Sequence, residues 1–101
     1  ALLKIIPVPA RYALGQNYPN PFNPTTTIRF ELPEDAHTRI AIYDILGREI
    51  ILLENRPFNA GYHQVVWQGR DTYGNVVPSG MYFYRMEANG FSSTRKMVFL
   101  K

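Results

Sequence analysis

The stretch YPNPFNPTTTIRFEL, residues 18–32, changes character halfway along. Its first half carries Pro19, Pro21 and Pro24; its second half alternates, with Ile28, Phe30 and Leu32 separated by Arg29 and Glu31. A proline fixes φ, restricts the residue before it and offers no N–H to a sheet ladder. The first half therefore reads as a stiff, extended crossover at a sheet edge, with Tyr18, Asn20 and Asn23 restricted by the prolines that follow them. Apolar residues at every second position place one face of the second half on a core. Phe22, alone among the prolines, is expected to plug the end of that core. Asn20 and Asn23 carry short amides suited to capping backbone groups.

The alternation recurs along the chain. Ile40 and Ile42 share a face of a strand over 38–43, and Asp44-Ile45-Leu46-Gly47 forms a tight turn into a return strand over 48–54. Pro57 and Gly61 mark the next loop, and His63, Val65 and Trp67 share a face of a strand over 62–68. A long turn over 69–75 is closed by Pro78-Ser79-Gly80. Tyr82, Tyr84 and Met86 then share a face of a strand over 81–88, and Asn89-Gly90 is the strongest hairpin signal in the chain. Residues 91–100 return from it. With a short strand near residues 12–16, this makes about seven strands. No segment carries a helical period. The class is all-β, an immunoglobulin-like antiparallel β-sandwich.

The length of 101 residues suits one domain, and 46% hydrophobic with 19% charged residues is a globular balance. A net charge of +3 with scattered Lys and Arg permits acidic partners but implies no nucleic-acid groove. The absence of Cys excludes a disulfide framework and thiolate chemistry. No run approaches the roughly 18 apolar residues of a membrane span. The opening ALLKIIPVPARY lacks the order of a signal peptide. Residues 1–13 read as a linker or the tail of an upstream domain, and 14–101 as the domain itself.

The sequence offers no catalytic constellation. His37 and His63 fall on different strands and outside any metal-binding spacing, and His63 reads as a core histidine. Asp44, Asp71 and Glu87 lie in separate elements. Asp71-x-x-Gly74 lacks the alternating oxygen ligands of a cation loop and reads as an Asx-type turn. No cofactor, metal or enzymatic activity is expected. The seven Tyr, six Phe and one Trp leave room for a sugar-binding platform, with Tyr62, Tyr73 and Phe83 as candidates. If Tyr82, Tyr84, Met97 and Phe99 point inward, alternation sends Phe83, Val98 and Leu100 outward, as a docking patch or as a surface covered by Leu2, Leu3, Ile5 and Ile6, unless the last strand shifts register.

The ordered blocks YPNPFNPTTTIRFELP, IAIYDILGREI, AGYHQVVWQGRD, GNVVPSGMYFYRMEA and TRKMVFLK resemble one family. The chain from about Leu14 to Lys101 is similar to the C-terminal sorting domain of proteins exported by the type IX secretion system of the Bacteroidetes. That family is related to the Ig-like domain of the flagellar hook-capping protein. The resemblance implies a sandwich appended to a larger secreted protein and a signal concentrated at the C-terminal end. The matching positions are Gly80, Tyr82, Gly90, Lys96 and Lys101. It also implies passage through the periplasm to the cell surface. The implied partners are the outer-membrane machinery, an upstream cargo domain and a sortase-like peptidase. Two other readings stand beside it: a carbohydrate-binding accessory module of a secreted glycoside hydrolase, and a structural Ig-like spacer or assembly module.

Overall fold

The computed structural model describes residues 7–101, so the proposed cover by Leu2, Leu3, Ile5 and Ile6 lies outside the described residues. Among these, seven strands run in chain order: β1 (Ala13–Leu14), β2 (Thr26–Leu32), β3 (Ala36–Tyr43), β4 (Glu49–Phe58), β5 (Gly61–Trp67), β6 (Gly80–Ala88) and β7 (Phe91–Phe99). They form two antiparallel sheets, β1-β2-β5 and β4-β3-β6-β7. The inward residues predicted by alternation face each other across the gap. Ile28, Phe30, Leu32, Ile40, Ile42, Val65, Trp67, Tyr82, Tyr84, Met86, Met97 and Phe99 are all buried. β2, β5 and β6 show the two-residue period most plainly, each burying one face, whereas β4 carries no such alternation.

The turns obey local chemistry. Asp44-Ile45-Leu46-Gly47-Arg48 and Asp71-Thr72-Tyr73-Gly74-Asn75 adopt one geometry. In each, the Gly N–H donates to the Asp carbonyl at 3.0 Å. The Asp Oδ1 accepts from the amides two and four residues on, at 2.9 and 3.0 Å. The β6–β7 turn has Asn89 at φ 48° and Gly90 at φ 87°, which is the type I′ pattern that Asn-Gly favours.

Arg48 Nε closes the first loop on Asp44 Oδ2 at 2.7 Å. Partial desolvation raises the Asp44 carboxyl, but the Arg48 amide, its guanidinium and the Leu46 amide outweigh it and hold the group below its ordinary range. A depressed folded-state pKa stabilises the fold above the unfolded-state pKa, and that contribution is lost as pH falls through the folded one. Asp44→Asn keeps an oxygen for the loop amides and removes the charge. Its deficit against wild type in urea should be present at neutral pH and shrink on acidification below pH of about 4. A deficit independent of pH would show that the charge contributes nothing.

Two expectations need correction. Pro57 lies inside β4, paired with His37, rather than in a loop. The strand continues to Phe58 because β4 is the outer strand of its sheet, where a missing N–H is tolerated. His63 is half-buried at the rim and not in the core. Its ring stacks on Phe30 at 5.3 Å and meets Phe58 edge-on at 5.1 Å, while Nε2 reaches the Asn59 carbonyl at 2.7 Å.

The crossover over residues 18–24 behaves as a strap. Its three X–Pro bonds are cis. Tyr18 pairs with Thr27 through two backbone bonds of 2.9 Å. Phe22 then docks beside β7: its N–H donates to the Val98 carbonyl and its carbonyl accepts from the Leu100 N–H, both at 3.0 Å. Asn20 Oδ1 accepts from the Val98 N–H at 2.9 Å, which is the expected cap. The Phe22 ring is 2% exposed, 5.0 Å from Phe99 and 5.6 Å from Trp67.

Gly69 follows β5 at φ +68°, and a Cβ there would lie 3.0 Å from the Phe99 ring. Gly69→Ala should cost about 1–3 kcal/mol through left-handed backbone strain and the displaced ring. An unchanged thermal midpoint would show that the ring yields freely.

Candidate recognition surface

The five signal positions all belong to the β6–β7 hairpin or its flanks. Gly80 opens β6, Gly90 sits at the hairpin tip, Lys96 lies on β7 and Lys101 follows it. The hairpin register pairs Gly80 with Phe99, Tyr82 with Met97 and Phe83 with Lys96. Lys96 and Lys101 are exposed. The Lys101 N–H donates to Ser79 Oγ at 2.8 Å, which ties the segment after β7 to the segment before Gly80. The Lys96 carbonyl accepts from Gln16 Nε2 at 2.9 Å.

Tyr82 is different in kind. Its ring is 5% exposed and packs at 5.5 Å against Trp67, and its hydroxyl donates to the Pro78 carbonyl at 2.6 Å. Desolvation, with Asp44 adding to it, raises the hydroxyl above its ordinary range, so it stays protonated. Tyr82 can shape the surface only by holding the loop before Gly80. Alternation places Tyr82 on the core face with Tyr84 and Met86, and the structure agrees.

The patch residues divide. Phe83 and Val98 are half-buried and Leu100 is 50% exposed. Val98 lies opposite Met81, which is 41% exposed. Phe83 shares a shallow groove with Tyr43, Asp44, Ile45, Arg85 and Thr94. Sequence reading passed over Ile45 and Leu46 at the tip of the first Asp turn, which are 68% and 73% exposed. With Pro78, Gly80 and Met81 they line a second depression at the base of the hairpin. Two exposed apolar residues at a turn tip were the available signal.

The three sugar-platform candidates do not come together as a row. Tyr62 stands on β5, Tyr73 on the second Asp turn, and Phe83 on a strand of the other sheet.

Known proteins carry the same sandwich. PorU of Porphyromonas gingivalis, in the crystal structure of its dimeric latent form, aligns with 95% of this chain at a TM-score of 0.64 and 24% identity. PorZ of the same organism, described as an essential bacterial surface component of the type IX secretion system, aligns with 89% at a TM-score of 0.57 and 22% identity. The aligned part is 10% of the PorU chain and 11% of the PorZ chain. No curated protein matches. A model of the FlgD Ig-like domain matches residues 16–91, well over half of the sequence, and the chain belongs to that family.

Proposed function

We propose that this domain is the non-catalytic C-terminal part of a larger secreted protein, and that it carries the signal for type IX secretion and cell-surface delivery. The observation that carries this reading is the gathering of Gly80, Gly90, Lys96 and Lys101 on one terminal hairpin and its flanks, with both lysines exposed. A signal presented on a rigid hairpin is recognised without the entropy loss of ordering it. The sequence blocks that resemble sorting domains support the reading, and so does the shared fold of PorZ. The partners are then the outer-membrane machinery and a sortase-like peptidase, with the apolar residues Phe83, Val98 and Leu100 beside the lysines as a docking patch.

The test is export of a reporter fused ahead of residues 14–101 in a type IX-competent host. The fusion should reach the medium or the cell surface. Lys96→Ala with Lys101→Ala should hold it in the periplasm while thermal stability stays within about 0.5 kcal/mol of wild type. Deleting 95–101 is a poorer test, because it also removes Met97 and Phe99 from the core. A wild-type fusion that never leaves the periplasm would sink the reading. Normal export of the folded double mutant would remove the lysines from it. Membership of the FlgD Ig-like family also favours a structural assembly module. That second reading predicts that the cargo is exported equally well without this domain.

A further inference from the structure

Three of the outer strands are guarded against pairing with another chain. β1 is two residues long. β4 carries Glu49, Glu54, Arg56 and Pro57. β7 is bonded along its edge by Phe22 and by Gln16, and its Arg95 Nε donates to the Leu14 carbonyl at 2.6 Å. β5 has none of these devices. From Gly61 through Gly69 there is no charged residue and no proline.

The free groups on β5 follow from the ladder. On β2, Thr27 exchanges backbone bonds with Tyr18, and the Arg29 carbonyl accepts from Gly15, so the odd-numbered residues point away from β5. The even-numbered ones, Thr26 through Leu32, therefore bond β5, where their partners are Trp67, Val65, His63 and Gly61. No register shift interrupts that pairing. The N–H and C=O groups of Tyr62, Gln64 and Val66 must then point out of the sheet. Among the described residues, none of these groups takes part in a turn, cap or side-chain hydrogen bond.

The geometry points to reversible self-association of this domain through antiparallel pairing of β5 with β5 of a second copy. The sequence is self-complementary about Gln64. A two-fold axis there sets Gln64 opposite Gln64 and Tyr62 opposite Val66, on both sides of the axis. All three outward-pointing residues of each strand then fall in hydrogen-bonded pairs, so the register uses every free group. A register centred on either neighbour leaves some unused. On the outer face, Tyr62 and Val66 are 65% and 51% exposed, and the pairing makes two aromatic–β-branched cross-strand contacts. The resulting sheet runs β1-β2-β5-β5-β2-β1. No charge opposes its like across the seam, although each copy carries +3 overall. A single strand edge makes a small interface, so the association is weak and rises with salt as the net charges are screened. The terminal hairpin belongs to the other sheet, so pairing leaves the proposed signal open.

Sedimentation velocity over a concentration series tests this with the 101-residue chain and two variants. Gln64→Lys and Gln64→Glu each place like charges face to face, and each should weaken self-association about tenfold or more. An equimolar mixture of the two should restore it. Far-UV CD should match wild type for both, since Gln64 is exposed. A wild-type chain that stays monomeric to its solubility limit overturns the proposal. So does an association that both variants leave unchanged, or one that the mixture fails to rescue.

Discussion

Phe22→Ala should lower the stability of this domain by about 3–5 kcal/mol. The ring is enclosed by Phe99 and Trp67, and its removal leaves a cavity at the end of the core. The surrounding strap cannot close that cavity, because Phe22 is pinned by backbone bonds to Val98 and Leu100 and flanked by Pro21 and Pro24. Domains of this size are stable by about 5–15 kcal/mol, so the loss is a large fraction of the total. The melting midpoint should fall on the order of 20 °C. Phe22→Leu, which keeps most of the volume, should cost less than about half as much. Urea and thermal midpoints equal to wild type would mean that the ring is not seated as described. The proline-rich strap thus holds one aromatic ring in place against β7.

Tyr84→Phe is the second large effect, expected at about 2–6 kcal/mol. The Tyr84 side chain comes from β6, yet its hydroxyl serves the other sheet. It donates to the Gly15 carbonyl at 2.6 Å and accepts from the Asn17 N–H at 2.8 Å. Burial pushes the hydroxyl above its ordinary range, against the Asn17 amide and Arg95, so it remains a donor throughout the neutral range. Beside it, Asn17 Nδ2 donates to Thr26 Oγ1 at 2.9 Å and to the Pro19 carbonyl at 3.2 Å. The Thr26 hydroxyl donates to the same carbonyl at 2.8 Å. Among the described residues, no buried side-chain polar atom lacks a partner. Phenylalanine keeps the ring and orphans two backbone groups, each costing about 1–3 kcal/mol when left dry. Hydrogen exchange of the Asn17 amide should accelerate more than exchange in β3. A variant with unchanged urea midpoint and unchanged Asn17 exchange would show that water replaces the hydroxyl at no cost.

What the sequence determined by itself is whatever depends on near neighbours in the chain. A two-residue apolar period states that a segment is a strand with one buried face, so β2, β6 and the core faces were legible residue by residue. The paired Asp-x-x-Gly turns and the Asn89-Gly90 hairpin were legible for the same reason, since their backbone angles are chosen locally. The Phe22 plug was readable because prolines on both sides leave a lone aromatic little other use.

Only the tertiary structure decided which strands lie at the edges and what meets across the gap. Pro57 looks like a strand breaker until β4 is known to be an outer strand, where the lost donor costs nothing. His63 shares its face with Val65 and Trp67, but its distance from the centre of the sandwich leaves it at the rim. Alternation assigns Phe83 and Val98 to the outer face without saying how much neighbouring strands cover them. The bonds of Tyr84 to Gly15 and Asn17 span more than sixty residues of chain. Sheet order and edge exposure are long-range properties, set by how all the buried faces close against one another. No local pattern encodes them, and the exposed edge of β5 becomes visible only when the ladder assigns each backbone group a direction.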